Sequence, residues 1–215
     1  MKIVIIGATG ATGKALVSQA LNEDKISEVT ALVVRNKLSR HPKLTQIIVD
    51  FLDPKSYSKY LEEVDIAFSC MGTTLKAAGS KEAQWIVDHD YQLNFAKIAK
   101  QNKVPQFVLL SAMNANPQAK SFYGKMKGQL EEAIKQIEFD RLAIIKPSLL
   151  IRPSSDRTLE NIGVHAIQCL NKLGFLRQYR PLHVDTVAKA MIRCALGSPK
   201  PFVEFVVNDI LKITE

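Results

Sequence analysis

KIVIIGATGATGKAL, residues 2–16, runs four β-branched apolar residues directly into three glycines spaced three apart. The apolar run at 3–6 predicts a buried β-strand, and the glycines that follow it predict a tight turn. Residues 11–22 place apolar side chains at helical spacing, so a helix is expected to begin within the glycine run. The stretch therefore predicts a strand, a turn and a helix in immediate succession.

The glycine turn indicates an anion-binding loop. Glycine lets the backbone turn tightly and lets a phosphate approach closely, and the helix that follows presents free N–H groups at the positive end of its dipole. Thr9 and Thr12 add hydroxyl donors. The GxxGxxG spacing differs from the GxGxxG of classical dehydrogenases, and Ala15 excludes a GxxxxGK[ST] phosphate loop, which needs Ser or Thr there. A glycine-rich turn with no ligand is the structural alternative.

Strand-like and helix-like segments alternate along the chain. Apolar runs indicate further strands at 28–34, 45–51, 64–71, 104–111 and 140–148. Apolar spacing indicates helices at 82–102 and 120–137, and Asp53-Pro54 indicates a short helix between the third and fourth strands. This alternation predicts an α/β fold with a doubly wound, mostly parallel sheet. After residue 150, expected helices near 158–172 and 184–196 and a strand near 202–207 predict a small substrate-side lobe of one domain spanning 1–215.

The composition is ordinary for a soluble globular chain, with 47% hydrophobic and 23% charged residues. No apolar run is long enough to span a bilayer, and residues 3–6 are too few for a signal-peptide core, so we expect a cytoplasmic protein without a membrane partner. Three cysteines far apart in the sequence indicate reduced thiols. Four histidines form no HxxxH or HExxH pattern, so no metal is expected.

The net charge of +8 comes from 29 basic and 21 acidic residues spread along the chain. This excess suits nucleic acid, an anionic membrane or a phosphate-bearing small ligand, and a basic but otherwise normal surface is the alternative. Since no basic helix or aromatic-studded strand is present, we expect a small-molecule substrate and no nucleic-acid partner.

Arg35 stands at the end of the predicted second strand, where NAD-binding enzymes usually place an acid that holds the ribose 2′-hydroxyl. A guanidinium suits a 2′-phosphate instead, because it forms charge-assisted and often bidentate contacts. Lys37 and Arg40 would strengthen the positive field. The sequence therefore predicts that NADP(H) is preferred over NAD(H), a solvated surface arginine being the alternative.

Tyr123 and Lys127 lie four residues apart on the predicted helix at 120–137, so both side chains share one face. Carbonyl reduction needs a proton donor for the oxygen, and a nearby ammonium lowers the tyrosine pKa from its usual value of about 10. The same lysine can hydrogen-bond a nicotinamide ribose. Ser111 ends the fifth strand, where it can hydrogen-bond a substrate carbonyl. The alternatives are a packed tyrosine and a solvated lysine.

These features together resemble the short-chain dehydrogenase/reductase superfamily. The likeness rests on GATGATG, Arg35, VDFLD at 49–53, CMGTT at 70–74, Ser111 and the Tyr123-x-x-x-Lys127 pair. The chain resembles an atypical member close to the Tat-interacting-protein oxidoreductase group, with NmrA-like proteins as more distant relatives. FDRLAIIKPSLLI at 139–151 and LHVDTVAKAM at 182–191 resemble that group's sixth strand and C-terminal helix.

The resemblance implies a Rossmann fold with the following cofactor contacts. The pyrophosphate would be surrounded by Gly7, Thr9, Gly10, Ala11, Thr12 and Gly13. The 2′-phosphate would meet Arg35, and the adenine would be flanked by Asp50 and Phe51. The adenosine ribose would pass Cys70, Met71 and Gly72. The carboxamide side of the nicotinamide would be held by Pro147, Ser148 and Leu149.

The resemblance also implies that Tyr123 is the general acid, Lys127 its partner and Ser111 the group that polarises the substrate. The expected function is that of an NADPH-dependent oxidoreductase that transfers hydride to a carbonyl-like small molecule. The alternative is a non-catalytic, NADP(H)-binding redox-sensing regulator or scaffold. Many classical members have an asparagine in the helix after the fourth strand, whereas this chain has Asp88 or Asp90 near that position. The lack of this asparagine favours the non-catalytic alternative. The helices at 82–102 and 120–137 could support a homodimer.

Overall fold

The computed structural model describes residues 1–35, 38–151, 179–197 and 200–215, and these form a seven-stranded sheet and a separate two-stranded pair. The large sheet contains β1 (Lys2–Ile6), β2 (Glu28–Val33), β3 (Leu44–Ile48), β4 (Ile66–Ser69), β5 (Gln106–Leu110), β6 (Arg141–Ile145) and β9 (Phe202–Phe205). The small pair contains β7 (Leu150–Ile151) and β8 (Leu182–His183). The large sheet has the order β3-β2-β1-β4-β5-β6-β9, and each of these pairings is parallel. The predicted doubly wound α/β fold is confirmed.

Helices cover both faces of this sheet. They are α1 (Ala11–Leu21), α2 (Leu75–Ala78), α3 (Lys81–Trp85), α4 (Tyr91–Gln101), α5 (Phe122–Lys135), α6 (Val184–Gly197) and α7 (Val207–Thr214). Two short 3₁₀ helices, Pro54–Ser56 and Ser58–Leu61, follow β3 at the place where Asp53-Pro54 predicted a helix. The predicted helix at 82–102 is divided, because a π-helical turn at Ile86–Asp90 joins α3 to α4.

The strands are buried on both faces, which is why they appear in the sequence as continuous apolar runs. Ile3 and Ile5 of β1 pack on one face with α1, α6 and α7, and Val4 and Ile6 pack on the other with α4 and α5. All four side chains are 1% exposed or less. Burial from both sides fixes the register of β1, since a slip of one residue exchanges the two cores.

The C-terminal elements correct one expectation. The strand expected near 202–207 in a substrate-side lobe is β9, which pairs with β6 and extends the main sheet. The helix expected at 184–196 is α6, whose Val187 and Met191 are fully buried in the core beneath α1. An apolar helix face of this kind needs the sheet to cover it. The helix expected near 158–172 lies outside the described residues, as do Lys37, His165 and Cys169.

The sheet changes direction between β1 and β4. From β1 the chain continues outward through β2 and β3, and from β4 it continues the other way through β5 and β6. Ligands of open parallel sheets bind in the crevice beyond the strand ends at such a switch point. Here the turns after β1 and β4 are in contact. An ideal Cβ placed on Gly7 would overlap the backbone carbonyl of Cys70.

This contact predicts an unequal cost for two glycine substitutions. Gly7 and Gly79 both have positive φ angles, +74° and +88°, but an ideal Cβ on Gly79 meets no atom within 4 Å. Gly79→Ala should therefore lower the free energy of unfolding by about 1 kcal/mol, the conformational penalty alone. Gly7→Ala should cost about 3 kcal/mol or more, because the backbone of Cys70 must also move. Urea unfolding measures both, and equal losses would contradict the contact.

Candidate functional site

A cleft of about 300 Å³ lies at the switch point, beyond the ends of β1, β4 and β5. Many of the residues singled out in the sequence line it together: Gly10, Ala11, Thr12, Cys70, Met71, Gly72, Ser111, Tyr123 and Lys127. The remaining lining residues are Thr73, Thr74, Ala77, Leu110 and Leu150. The fold thus brings the glycine turn, the turn after β4 and one face of α5 to a single cavity.

The glycine turn leaves the first turn of α1 open toward the cleft. Gly10 precedes the helix and offers no side chain to cap it, and no acidic residue occurs in the first helical turn. The N–H of Gly10 donates to the carbonyl of Gly7 over 3.0 Å, and Gly13 lets α1 pack directly against that carbonyl. The uncapped N–H groups and the helix dipole suit a bound anion. Gly7, Thr9 and Gly13 are not among the lining residues. Gly7 and Gly13 instead allow close backbone contacts within the turn and with Cys70.

The residues predicted to hold the adenosine end lie beyond β2 and β3. Arg35 and Asp50 are exposed, and Asp50 Oδ1 accepts the N–H of Leu52 over 2.9 Å. Phe51 departs from expectation, because its side chain is only 3% exposed and its ring packs against Tyr57 and Tyr91. A side chain held in the core cannot flank an adenine, so any contact there falls to the backbone.

The loop after β6 is fixed by hydrogen bonds to its neighbours. The carbonyl of Pro147 accepts the N–H of Met113 over 2.9 Å, and that of Leu149 accepts the N–H of Leu182 over 2.9 Å. The hydroxyl of Ser148 donates to the carbonyl of Arg180. None of the three predicted residues, Pro147, Ser148 and Leu149, lines the cleft, whereas the next residue, Leu150, does.

Tyr123 and Lys127 share the face of α5 that borders the cleft, but their exposure differs. Tyr123 is 42% exposed, and Lys127 is 2% exposed. Burial lowers the pKa of the Lys127 ammonium, and the charges of Asp88 and Glu131 act against that shift. A buried cation in this position depends on the two acids to stay protonated.

The structure distinguishes between Asp88 and Asp90, which the sequence did not. Asp88 lies fully buried in the π-helical turn, and its Oδ1 accepts the N–H of Thr73 over 2.6 Å. Asp90 instead accepts from Trp85 Nε1 over 3.1 Å and pairs with His89. Burial raises the pKa of Asp88, and the charge of Lys127 opposes the rise. Asp88 is therefore the acid that faces the lysine.

Glu131 is a site residue that the sequence analysis missed. It follows Lys127 by one helical turn, is 3% exposed, and accepts the hydroxyl of Ser111 on Oε1. Its Oε2 lies 3.0 Å from Nζ of Lys146, which also lies 3.2 Å from Oε1 of Glu204. The sequence did contain a signal for it: Glu131 follows Lys127 at the same four-residue spacing that separates Tyr123 from Lys127, so all three lie on one face of the helix.

The shifted pKa values in this cluster follow from its burial and its charges. Burial raises the pKa of Glu131, while hydrogen bonds from Ser111 and Lys146 act in the opposite direction. Burial alone would lower the pKa of Lys146, but its contacts with Glu131 and Glu204 outweigh that effect and raise it. Lys146 also donates to the carbonyl of Ala115 over 3.3 Å.

Cys70 is buried beside Met191, and burial raises the pKa of its thiol to about 12. A thiol with this pKa is almost wholly protonated near neutral pH and is a poor nucleophile. No group of three or more potential metal-ligating side chains occurs in the parts of the chain that the structure describes. Within the same parts, no helix is both long and apolar enough to cross a membrane.

The buried pair predicts a pH-dependent cost of removing its cation. Lys146→Met leaves an ionised Glu131 without its partner, which should lower the free energy of unfolding by about 3 kcal/mol above the pKa of Glu131. The loss should shrink as the pH falls through that pKa, because a protonated carboxyl needs no cation. Urea unfolding at several pH values measures this loss of stability.

Lys135→Met, which removes the partially exposed ion pair with Glu132, is the control and should cost less than about 1 kcal/mol. A loss for Lys146→Met that does not vary with pH would contradict this account.

Comparison with known proteins identifies the family. Residues 7–151 match a protein family described as NAD(P)H-binding. The chain is 34% identical over 153 residues to Protein HTATIP2 of Rattus norvegicus, a match that covers 69% of this chain and 62% of that protein. It is 30% identical over 213 residues to the mitochondrial protein FMP52 of Eremothecium gossypii, covering 96% of this chain and 93% of the relative.

Solved structures show the same fold at lower identity. MoeE5 in complex with UDP-glucose and NAD is 15% identical with a TM-score of 0.72, covering 100% of this chain and 81% of that one. WbmH of Bordetella bronchiseptica in complex with NAD⁺ is 16% identical with a TM-score of 0.72, covering 96% and 75%. The oxidoreductase ylbE of Lactococcus lactis is 21% identical with a TM-score of 0.61, covering 73% of each chain.

The relatives also correct one expectation and confirm another. Several of them, including FMP52 of Saccharomyces cerevisiae, which is 27% identical over 223 residues and covers 100% of this chain and 96% of itself, are named as mitochondrial proteins. The expected cytoplasmic location is therefore wrong: it rested on the absence of a signal-peptide core, which does not exclude an organelle. The predicted resemblance is confirmed, and the chain belongs to the NAD(P)H-binding family, in the atypical short-chain dehydrogenase/reductase group that includes HTATIP2.

Proposed function

We propose that this chain is an NADPH-dependent oxidoreductase that reduces a carbonyl group of a small molecule. One observation carries the proposal: Ser111, Tyr123 and Lys127 line the same cleft as the uncapped N-terminus of α1. An anion-binding helix end and a proton-donating pair at one cavity are the two parts that hydride transfer to a carbonyl needs.

The residues present fit the dinucleotide. The N–H groups of Ala11 and Thr12 would bind the pyrophosphate, since Gly10 has no side chain to cap α1. Arg35, exposed beyond β2, would meet a ribose 2′-phosphate, and the backbone at Asp50 and Phe51 would border the adenine. The turn at Cys70, Met71 and Gly72 would pass the adenosine ribose, and the loop from Pro147 to Leu149 would lie on the carboxamide side of the nicotinamide.

Residues of the chain would supply the proton that the substrate oxygen takes up. NADPH, when bound, supplies the hydride that reaches the substrate carbon. Tyr123 would donate its phenolic proton to the substrate oxygen, and the ammonium of Lys127 would stabilise the tyrosinate that remains. Asp88 and Glu131 would keep Lys127 charged although it is only 2% exposed. Ser111 would hold the substrate oxygen beside the phenol.

A non-catalytic NADP(H)-binding regulator is the second candidate. One observation favours it: near the place of the asparagine of classical short-chain dehydrogenases the chain has Asp88 and Asp90, and a carboxylate cannot donate the hydrogen bonds of an amide. Both candidates require the cofactor site, and only the first requires turnover. Cofactor binding and reduction must therefore be measured separately.

The cofactor assignment predicts a selective loss of affinity. Arg35→Ala should weaken NADPH binding about tenfold or more, the value of a charge-assisted hydrogen bond, and leave NADH binding nearly unchanged. Titration followed by nicotinamide fluorescence measures both. Arg193→Ala is the matched control, because Arg193 is an exposed arginine of α6 that does not line the cleft. An equal loss for both cofactors, or no loss for either, would contradict the assignment.

The proton-donor assignment predicts a loss of turnover without a loss of binding. Tyr123→Phe should lower the rate of NADPH-dependent reduction of phenanthrenequinone, an aromatic diketone, by about 100-fold or more. NADPH affinity should be unchanged. Tyr60→Phe is the control, since Tyr60 lies in the 3₁₀ helix after β3 and does not line the cleft. Equal rates in Tyr123→Phe and wild type would refute the role of Tyr123, and NADPH binding without turnover of any carbonyl would favour the regulator.

A further inference from the structure

We propose that Glu131 decides whether Ser111 donates or accepts a hydrogen bond in the cleft, so that protonation of this buried acid turns the serine hydroxyl toward the substrate carbonyl. Glu131 is thus a positioning residue that acts through Ser111. The inference deepens the proposed function and rests on it for the identity of the substrate group.

The hydroxyl of Ser111 has a single proton to donate. A hydroxyl has one proton and two acceptor lone pairs. The hydroxyl of Ser111 donates to Oε1 of Glu131, which lies behind the serine in the protein interior. While Glu131 is ionised it can only accept, so the serine proton stays committed to it. Ser111 then presents only lone pairs to the cleft and cannot donate to a carbonyl oxygen.

Protonation of Glu131 reverses the direction of its hydrogen bond with Ser111. A protonated Glu131 becomes a donor and can give its own hydrogen bond to Ser111 Oγ. The serine hydroxyl is then released to donate into the cleft, which Ser111 lines. The acid takes up one proton, and no bond to the substrate is formed or broken. The proton that reaches the substrate oxygen remains the one supplied by Tyr123.

Other charged groups face Glu131. Lys146 at the end of β6, Glu204 on β9 and Lys127 on α5 face it, and Asp88 in the π-helical turn faces Lys127 in turn. Among the residues that the structure describes, the groups named here comprise three acids and two cations, so the two lysines are shared among three carboxylates.

Glu131 is the acid among the three that is hydrogen-bonded to Ser111. Asp88 accepts a backbone N–H over 2.6 Å, which favours its ionised form. The Glu204 side chain is 34% exposed and keeps part of its hydration. Glu131 is only 3% exposed, shares its cation with Glu204, and has a pKa raised by burial.

The coupling can be measured without cofactor or substrate. Infrared spectra recorded across a pH titration should show the C=O stretch of a buried carboxyl that Glu131→Gln removes and Glu132→Gln, its exposed neighbour, retains. Ser111→Ala should move the titration of this band to higher pH, because the hydrogen bond that Ser111 donates to the carboxylate is charge-assisted and stronger than the one it accepts from the protonated acid. A Ser111→Ala titration that coincides with that of wild type would overturn the proposal.

Reduction of phenanthrenequinone with NADPH tests the consequence. Wild-type kcat/KM should fall as the pH rises through the pKa found by infrared spectroscopy, and Glu132→Gln should behave likewise. Glu131→Gln should lose this fall, because its carbonyl accepts from Lys146 and its amide N–H donates to Ser111 at every pH. An unchanged pH profile in Glu131→Gln would reject the switch. If no carbonyl is reduced, the proposed function fails while the infrared result still decides the coupling.

Discussion

The contact between two backbone turns at the centre of the sheet is the constraint on which the site depends. The turn after β1 lies so close to the turn after β4 that Gly7 has no room for a side chain. This contact holds the start of α1 close to the turn after β4, and residues of both line the cleft. Because β1 and β4 are parallel neighbours from which the chain departs in opposite directions, a crevice forms beyond the ends of these two strands.

The α5 helix places Tyr123, Lys127 and Glu131 along one of its faces. Residues 123, 127 and 131 follow one another at one-turn intervals, from the exposed Tyr123 to the buried Glu131. Two lysines that would be costly to bury alone are each shared between two acids, Lys127 by Asp88 and Glu131 and Lys146 by Glu131 and Glu204. Glu131 belongs to both groups, and it therefore links Lys127 to Ser111 and Lys146.

The sequence predicted the strands well because their burial on both faces produces continuous apolar runs. It also predicted the glycine turn and nine of the residues that line the cleft, since parallel strand ends meet at one edge of the sheet, but Pro147, Ser148 and Leu149 do not line it. Glu131 was missed because its partners, Ser111, Lys146 and Glu204, are 15 to 73 residues away in sequence and only tertiary packing joins them. The same reason explains Phe51, whose ring is buried by residues that spacing alone does not reveal.

A crystal structure of the complex with NADP⁺ tests the central claim most directly, namely that the switch-point cleft holds a dinucleotide beside Tyr123. The account predicts the pyrophosphate within hydrogen-bond distance of the N–H groups of Ala11 and Thr12. It also predicts the 2′-phosphate at Arg35 and the nicotinamide ring next to Tyr123 and Lys127. A dinucleotide bound elsewhere on the chain, or a cleft without density at saturating NADP⁺, would contradict it.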